Sequence, residues 1–112
     1  MHPIPTVTVD QIPADALLLD VREDEEWSAG HIAGALHVPM YDLPDLLAIG
    51  SGGLTPQAPV YVICKVGARS AQVTAWLNKQ GYDARNVHGG MLAWHDARRP
   101  MASDNGAPPQ VI

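Results

Sequence analysis

The chain has 112 residues, of which 46% are hydrophobic and 17% are charged, and these values suit one folded domain with a buried core. A formal net charge of -5 excludes wholesale binding to nucleic acid, which requires an extended basic surface. The single cysteine excludes an intrachain disulfide and a multi-cysteine metal site. Neither a membrane-spanning apolar run nor a secretory signal pattern is visible, so a cytoplasmic location is expected.

The first half of the chain alternates between predicted strands and helices. In order, the predicted elements are a short strand at residues 7–9, a polar turn at 10–15, a buried strand at 16–21, a short acidic helix at 23–29 and a strand at 35–38.

The second half continues the alternation. Its predicted elements are a helix at 42–49, a Gly/Pro-rich loop at 50–59, a strand at 60–64, a helix ending near residue 80, a strand at 84–88, and a last helix with Met91, Leu92 and Trp94 facing inward. This order predicts an α/β fold with a mainly parallel five-stranded sheet and helices on both faces. The fully apolar run at residues 60–63 predicts a central strand. Ligands of such sheets bind beyond the carboxyl ends of the strands.

Cys64 lies where the buried strand at residues 60–63 changes into a loop and then a helix. The backbone N–H groups of such a loop, together with the helix N-terminus, form a cradle for an anion. Lys65 and Arg69 add two of the seven cationic side chains of the chain. A thiolate is stabilised in this setting, so the pKa of Cys64 is predicted to lie below the free value of about 8.5. The pattern favours a nucleophilic cysteine that acts on a small anion or carries an anionic adduct.

Two simpler interpretations of the cysteine stay open, namely an inert buried thiol and a site that only binds or senses.

The charged residues near the cysteine are expected to pair with one another. A cation at a helix N-terminus opposes the helix dipole, so Arg69 needs a carboxylate, and Asp20 at the end of the adjacent strand is the expected partner. Arg22 and Glu26 have the i, i+4 spacing of a local ion pair.

The histidines do not form a cluster with metal-ligand spacing, so no metal is expected. His31 is expected to hydrogen-bond with the backbone or with Asp20. A role as general base is less favoured, because a thiolate with a low pKa needs no base to activate it.

Several short motifs occur in a specific order. They are residues 19–23, Glu26-Trp27, residues 30–35, Val38-Pro39, the loop from Cys64 to Arg69, and residues 89–94. In order and spacing they resemble the single-domain rhodaneses, a sulfurtransferase family, over nearly the whole chain. The resemblance implies a rhodanese-like three-layer fold, with the domain at residues 1–100. Residues 101–112 contain a glycine, three small polar residues and a Pro-Pro pair, so a loose C-terminal tail is expected there.

The resemblance also implies a reaction in which sulfane sulfur passes from thiosulfate, or a related donor, to a thiol or cyanide. Cys64 would be the nucleophile and would carry the sulfur as a persulfide, with no metal or organic cofactor. The substrate-binding residues would be Lys65, Val66, Gly67, Ala68 and Arg69. The residues supporting the loop would be Asp20, Arg22, His31 and Ser70. Gly67 is expected to adopt a backbone conformation that a β-carbon resists, and Lys65 to bind the sulfonate of the donor.

Two other functions stay open for a chain with this resemblance. One is a sulfur-carrier or regulatory binding module, which takes sulfur from a protein donor and turns over little thiosulfate. The other is a phosphatase or arsenate reductase. The loop from Cys64 to Arg69 contains six residues, whereas phosphatase-like relatives carry one residue more and a wider cradle. The expected partners are therefore a small anionic sulfur donor and a thiol acceptor, with a protein donor or acceptor as the alternative, and neither nucleic acid nor a membrane.

Overall fold

The structure is a computed structural model that describes residues 4–50 and 52–112. Residues 1–3 and 51 lie outside the described residues. They include part of the N-terminal stretch in which a secretory signal was sought. They also include one residue of the predicted loop at 50–59. Within the described ranges, no helix is both long enough and apolar enough to cross a membrane.

The described residues form one sheet of five parallel strands. The strands are β1 (Thr6–Val7), β2 (Leu17–Asp20), β3 (Leu36–His37), β4 (Pro59–Ile63) and β5 (Asp83–Val87). Their order across the sheet is β1-β5-β4-β2-β3, and each neighbouring pair is parallel. The α/β class and the parallel sheet are thus confirmed, and β4 is the central strand, as its apolar run predicts.

Helices connect the strands. They are α1 (Asp24–Ala29), α2 (Leu43–Ile49), α3 (Ala68–Lys79) and α4 (Gly90–Asp96), with short 3-10 turns at Val9–Gln11 and Met40–Asp42. The first predicted strand ends earlier than expected, at Val7, because Thr8 begins the first 3-10 turn. The backbone N–H of Thr8 donates to Gln11 Oε1 at 2.9 Å, which closes that turn.

Apolar side chains pack on both faces of the sheet. Leu43 of α2 and Leu77 of α3 pack against one face, which includes Leu19. Met91 and Trp94 of α4 pack against the other face, with Leu18 and Tyr61. Neighbouring residues of β2 thus point to opposite faces, as strand geometry requires. This is the predicted three-layer arrangement.

The expectation that Leu92 faces inward is wrong. Leu92 is 39% exposed, whereas Met91 and Trp94 are buried. Residues three apart share one face of a helix, so Met91 and Trp94 face the sheet together and Leu92 turns away from it.

The C-terminal segment, residues 101–112, contacts the domain instead of forming the expected loose tail. His31 and Ala102 exchange two backbone hydrogen bonds, of 2.9 and 2.8 Å. The N–H of Gln110 donates to the carbonyl of Ala29 at 3.0 Å. Gly30 makes this approach possible, because a β-carbon there would lie 2.4 Å from the carbonyl oxygen of Gln110. The two ends of the segment are therefore attached, while residues 104–108 between them are exposed.

Candidate active site

Cys64 follows β4 directly, at the carboxyl edge of the sheet and three residues before the N-cap of α3. The N-cap is Gly67, whose φ of +114° lies in the left-handed region that disfavours a β-carbon. The conformation expected for Gly67 is therefore present. It turns the backbone so that the loop curls around the cysteine and leads into α3.

The Cys64 thiol is fully buried and lies at the centre of the loop. Its Sγ accepts hydrogen bonds from the backbone N–H of Gly67 at 3.1 Å and of Ser70 at 3.4 Å. The Ser70 hydroxyl lies 3.2 Å from the same sulfur. Sequence reasoning gave Ser70 only a supporting role, yet both its hydroxyl and its amide contact the sulfur.

These contacts determine the protonation state of the thiol. Burial acts to raise the pKa of Cys64, because it disfavours the charged form. Hydrogen bonds from the side chain of Ser70 and from the amides of Ser70, Gly67 and Val66 act in the opposite direction and outweigh burial. The pKa of Cys64 therefore lies below its ordinary value, as the sequence predicts.

The start of α4 holds the loop from the other side. The N–H groups of Met91 and Leu92 donate to the carbonyls of Cys64 and Lys65 at 2.8 and 3.1 Å. This contact requires Gly90, where a β-carbon would lie 2.4 Å from the Cys64 carbonyl oxygen and 2.6 Å from that of Lys65. The glycine pair in the motif at residues 89–94 thus permits two backbones to approach closely.

Arg69 pairs with Glu26, and the expected pairing with Asp20 is wrong. Nη1 and Nη2 of Arg69 donate to Oε1 and Oε2 of Glu26 at 2.7 and 2.9 Å. The hydrogen bonds from Arg69 lower the pKa of Glu26, and the same hydrogen bonds raise the pKa of Arg69. The carboxylate that offsets the unfavourable position of Arg69 at the start of α3 therefore comes from α1.

Asp20 pairs with Arg22, which also corrects the expected Arg22–Glu26 pair. Nε of Arg22 donates to Oδ1 of Asp20 at 2.9 Å, and Nη2 donates to Oδ2 at 2.8 Å. The i, i+4 rule applies within a helix, but Arg22 precedes the start of α1 at Asp24. The backbone N–H of Arg22 also donates to Oδ1 of Asp20 at 3.1 Å, which holds the two residues together. Nη2 of Arg22 also donates to the carbonyl of Gly30 at 2.7 Å. The pair thus connects the end of β2 to the segment after α1.

His31 hydrogen-bonds with the backbone, which is one of its two expected interactions. Its Nδ1 lies 2.8 Å from the carbonyl oxygen of Trp27, so this nitrogen carries the proton. The imidazole stacks on the indole of Trp27 with ring centres 3.8 Å apart. The imidazole of His37 also stacks on Trp27, with ring centres 4.6 Å apart. The position of His31 is therefore fixed by a hydrogen bond and by ring stacking, both with Trp27 of α1.

The remaining predicted site residues lie on the outer side of the loop. Lys65 is half-buried, and Val66 and Ala68 are exposed. The predicted loop therefore lies between β4 and α3, and the structure separates its amides, which point at the sulfur, from its side chains, which point to solvent. The role of these residues in binding substrate stays a prediction.

Asn86 is a residue of this site that sequence reasoning missed. Its Oδ1 accepts a hydrogen bond from the Ser70 hydroxyl at 2.6 Å, and its Nδ2 donates to the carbonyl of Gly67 at 3.3 Å. A signal was present in the sequence, because Asn86 lies near the carboxyl end of a strand, where ligands of parallel sheets bind. Cys64, Ser70 and Asn86 thus form one connected polar group.

The sequence model of the rhodanese-like domain family matches residues 8–97. The chain belongs to the rhodanese-like domain family. It is 36% identical over 93 residues to a sulfurtransferase of Allochromatium vinosum, covering 82% of the chain and 83% of the relative. It is 33% identical over 93 residues to the thiosulfate sulfurtransferase GlpE of Pseudomonas putida, covering 82% of the chain and 80% of the relative.

Solved rhodanese-like structures share this fold. A rhodanese-related protein from Thermoplasma volcanium superposes with a TM-score of 0.78 at 27% identity, covering 88% of the chain and 97% of that protein. Together with the sulfurtransferase relatives, this likeness supports sulfur transfer as the general activity of this rhodanese-like domain.

Metal binding has no candidate among residues 4–50 and 52–112, where no group of three or more His, Cys, Asp or Glu side chains could hold an ion. The expectation that the reaction uses neither a metal nor an organic cofactor stays a prediction.

Proposed function

We propose that this rhodanese-like domain transfers sulfane sulfur from thiosulfate, or a related small anionic donor, to a thiol or cyanide through a persulfide on Cys64. The observation that carries the proposal is the placement of the buried Sγ, which accepts backbone hydrogen bonds from Gly67 and Ser70 at the N-terminus of α3. A sulfur anion is stabilised at such a position, whether it is the thiolate or the terminal sulfur of a persulfide.

The first step loads the cysteine. The Cys64 thiolate attacks the outer sulfur of thiosulfate, and a bond forms between Sγ and that sulfur. The S–S bond of thiosulfate breaks at the same time, and sulfite leaves with the bonding electron pair. The step needs no external oxidant, because the donor already holds sulfur in the sulfane state.

The second step unloads the cysteine. A thiolate or cyanide attacks the terminal sulfur of the persulfide, and the bond between that sulfur and Sγ breaks. Cys64 leaves as a thiolate, which the amides of the loop again stabilise. The lowered pKa of Cys64 assists both steps, because it increases the ionised fraction of the nucleophile and stabilises the thiolate as a leaving group.

The other residues of the loop bind the donor and hold the transferred sulfur in place. In this proposal the amides from Lys65 to Arg69 bind the terminal sulfur, and the ammonium group of Lys65 attracts the sulfonate of the donor. The Glu26–Arg69 and Asp20–Arg22 pairs keep the loop in place. A reducing compartment such as the cytoplasm, where a lone thiol stays free, is part of the same proposal.

Steady-state turnover tests the proposal. Formation of thiocyanate from thiosulfate and cyanide is expected for the wild-type chain and not for the variant Cys64→Ser. An equal rate in the two proteins would overturn the role of Cys64.

A sulfur-carrier function is a second candidate, favoured by the apolar side chains beside the loop. Val66 is 55% exposed within the loop, and Leu92 is exposed where its backbone N–H contacts the carbonyl of Lys65. Such side chains suit contact with a protein donor or acceptor better than contact with a small anion. Fast loading from a protein persulfide, combined with poor turnover of thiosulfate, would favour this function over the first.

A further inference from the structure

A buried polar chain connects the reactive sulfur to β5. It runs from Cys64 Sγ to the hydroxyl of Ser70 at 3.2 Å, and from that hydroxyl to Oδ1 of Asn86 at 2.6 Å. Ser70 is fully buried and Asn86 is 8% exposed, so water does not readily replace either contact. The sequence motifs of the site do not include Asn86.

The hydrogen-bond network shows which atom donates and which accepts at each contact from Cys64 to Asn86. Nδ2 of Asn86 donates to the carbonyl of Gly67, so Oδ1 is the atom that faces Ser70. An amide oxygen only accepts, and Ser70 has a single hydroxyl proton. The 2.6 Å contact therefore requires that Ser70 donates to Asn86. While Cys64 is protonated, its S–H is left to donate to the oxygen of Ser70.

Ionisation of the thiol changes this arrangement. A thiolate is a stronger acceptor than an amide oxygen, so it attracts the hydroxyl proton of Ser70. Turning the hydroxyl toward sulfur leaves Oδ1 of Asn86 buried without a donor, which is unfavourable. When a persulfide forms, the charge moves to the terminal sulfur, Sγ becomes neutral, and the hydroxyl can return to Asn86.

We propose that Asn86 is a positioning residue that competes with Cys64 Sγ for the one hydroxyl proton of Ser70. By this competition it favours the thiol and the persulfide of Cys64 over the free thiolate. The reference to the persulfide rests on the function proposed above. Since nucleophilicity falls as a thiolate becomes more stable, the competition also keeps the Cys64 thiolate more nucleophilic.

Thiolate absorbance in the ultraviolet, followed against pH, tests the competition directly because Cys64 is the only cysteine. Asn86→Leu keeps the branched shape of the side chain and removes the acceptor, so the titration midpoint of Cys64 is expected to fall by about one pH unit, equivalent to roughly tenfold more thiolate below the midpoint. Cys64→Ser gives the baseline. Arg69, the charged group that interacts with Cys64, is unchanged in every variant. An unchanged or raised midpoint in Asn86→Leu would overturn the inference.

A second background separates this role from a merely structural one. In Ser70→Ala there is no hydroxyl proton to compete for, so adding Asn86→Leu is expected to leave the midpoint where Ser70→Ala alone places it. A fall of the same size in both backgrounds would contradict the inference, since Asn86 would then act independently of Ser70.

A measurement on the wild-type chain covers the case in which a variant does not fold. The side-chain carbonyl carbon of Asn86 is expected to change its NMR shift as Cys64 titrates, because Oδ1 loses its donor. Asn78 is the matched control, since within the described part of the chain its side-chain amide bonds only to the backbone of Ala84. A constant Asn86 signal through the titration would overturn the inference. No sulfur donor is present in these titrations, so their outcome is separate from that of persulfide formation.

Discussion

Arg69 and Glu26 form a two-point ion pair that joins the start of α3 to α1, with N–O distances of 2.7 and 2.9 Å. The partners are 43 residues apart in sequence, so the pair connects two segments that the backbone alone does not place together. Arg69 is also the last residue of the loop around Cys64. The pair therefore couples the position of that loop to the position of α1.

Replacing Glu26 with glutamine is expected to destabilise the fold by about 1 kcal/mol at neutral pH, because the pair is partly exposed to solvent. The pKa of Glu26 is lower in the folded state, so the pair stabilises fully above the unfolded-state pKa of this residue. The stabilisation is lost as the pH falls through the folded-state pKa. Denaturant unfolding of both proteins at neutral and acid pH measures the difference. Glu25→Gln, at the exposed neighbouring residue, is the control and should have little effect on stability. A difference in stability between wild type and Glu26→Gln that persists in acid would contradict the account.

The Cys64 thiol should titrate with a midpoint below the free value of about 8.5, because the hydrogen bonds to sulfur outweigh burial. The second-order rate constant of persulfide formation, measured at thiosulfate concentrations well below saturation, should follow the same midpoint, since only the thiolate of the free enzyme attacks. Thiolate absorbance and single-turnover rates across the pH range check the two together. A midpoint at or above that of free cysteine would contradict the proposed cradle.

Alanine at Gly90 should disrupt the loop, because its β-carbon would meet the carbonyl oxygens of Cys64 and Lys65 at 2.4 and 2.6 Å. Gly34→Ala is a matched control, since φ is positive at both positions but no atom of the described residues lies within 4 Å of a β-carbon at Gly34. The control should lose about 1 kcal/mol from backbone strain alone, and Gly90→Ala should lose at least about twice that. Denaturant unfolding measures both losses. Equal losses would show that the close approach of α4 to the loop is not needed.

Lys65→Ala should weaken the binding of thiosulfate without slowing the chemical step. The Michaelis constant for thiosulfate is expected to rise about fivefold with kcat nearly unchanged, as for the loss of one partly screened charge contact of roughly 1 kcal/mol. Lys79→Ala removes the same charge at the exposed far end of α3 and should leave both constants unchanged. An unchanged Michaelis constant in Lys65→Ala would remove its proposed role.

The local part of the site could be predicted from the sequence, and the long-range part could not. The change from the apolar strand to Gly67 and α3 lies within a few residues of Cys64, so its hydrophobic pattern and glycine predict the geometry. The partner of Arg69 depends on where α1 lies in space, and no spacing rule gives that position. The position of Asp20 at a strand end favoured it as the partner, but Asp20 pairs with Arg22, two residues further along the chain.

Residues contributed by a second strand were the hardest to predict. Asn86 reaches Ser70 because β5 lies next to β4, a neighbour relation that the sequence alone left open. The C-terminal segment was expected to be loose because it contains a glycine, a Pro-Pro pair and small polar residues. Its backbone contacts with His31 and Ala29 depend on tertiary placement, which composition does not determine.

The intact mass of the reduced chain after incubation with thiosulfate tests the central claim most directly. The account predicts that the wild-type chain gains the mass of one sulfur atom, that Cys64→Ser gains nothing, and that a thiol or cyanide removes the added sulfur. A wild-type chain whose mass stays unchanged with thiosulfate and with a protein persulfide donor would contradict the assignment of Cys64 as the sulfur-carrying residue.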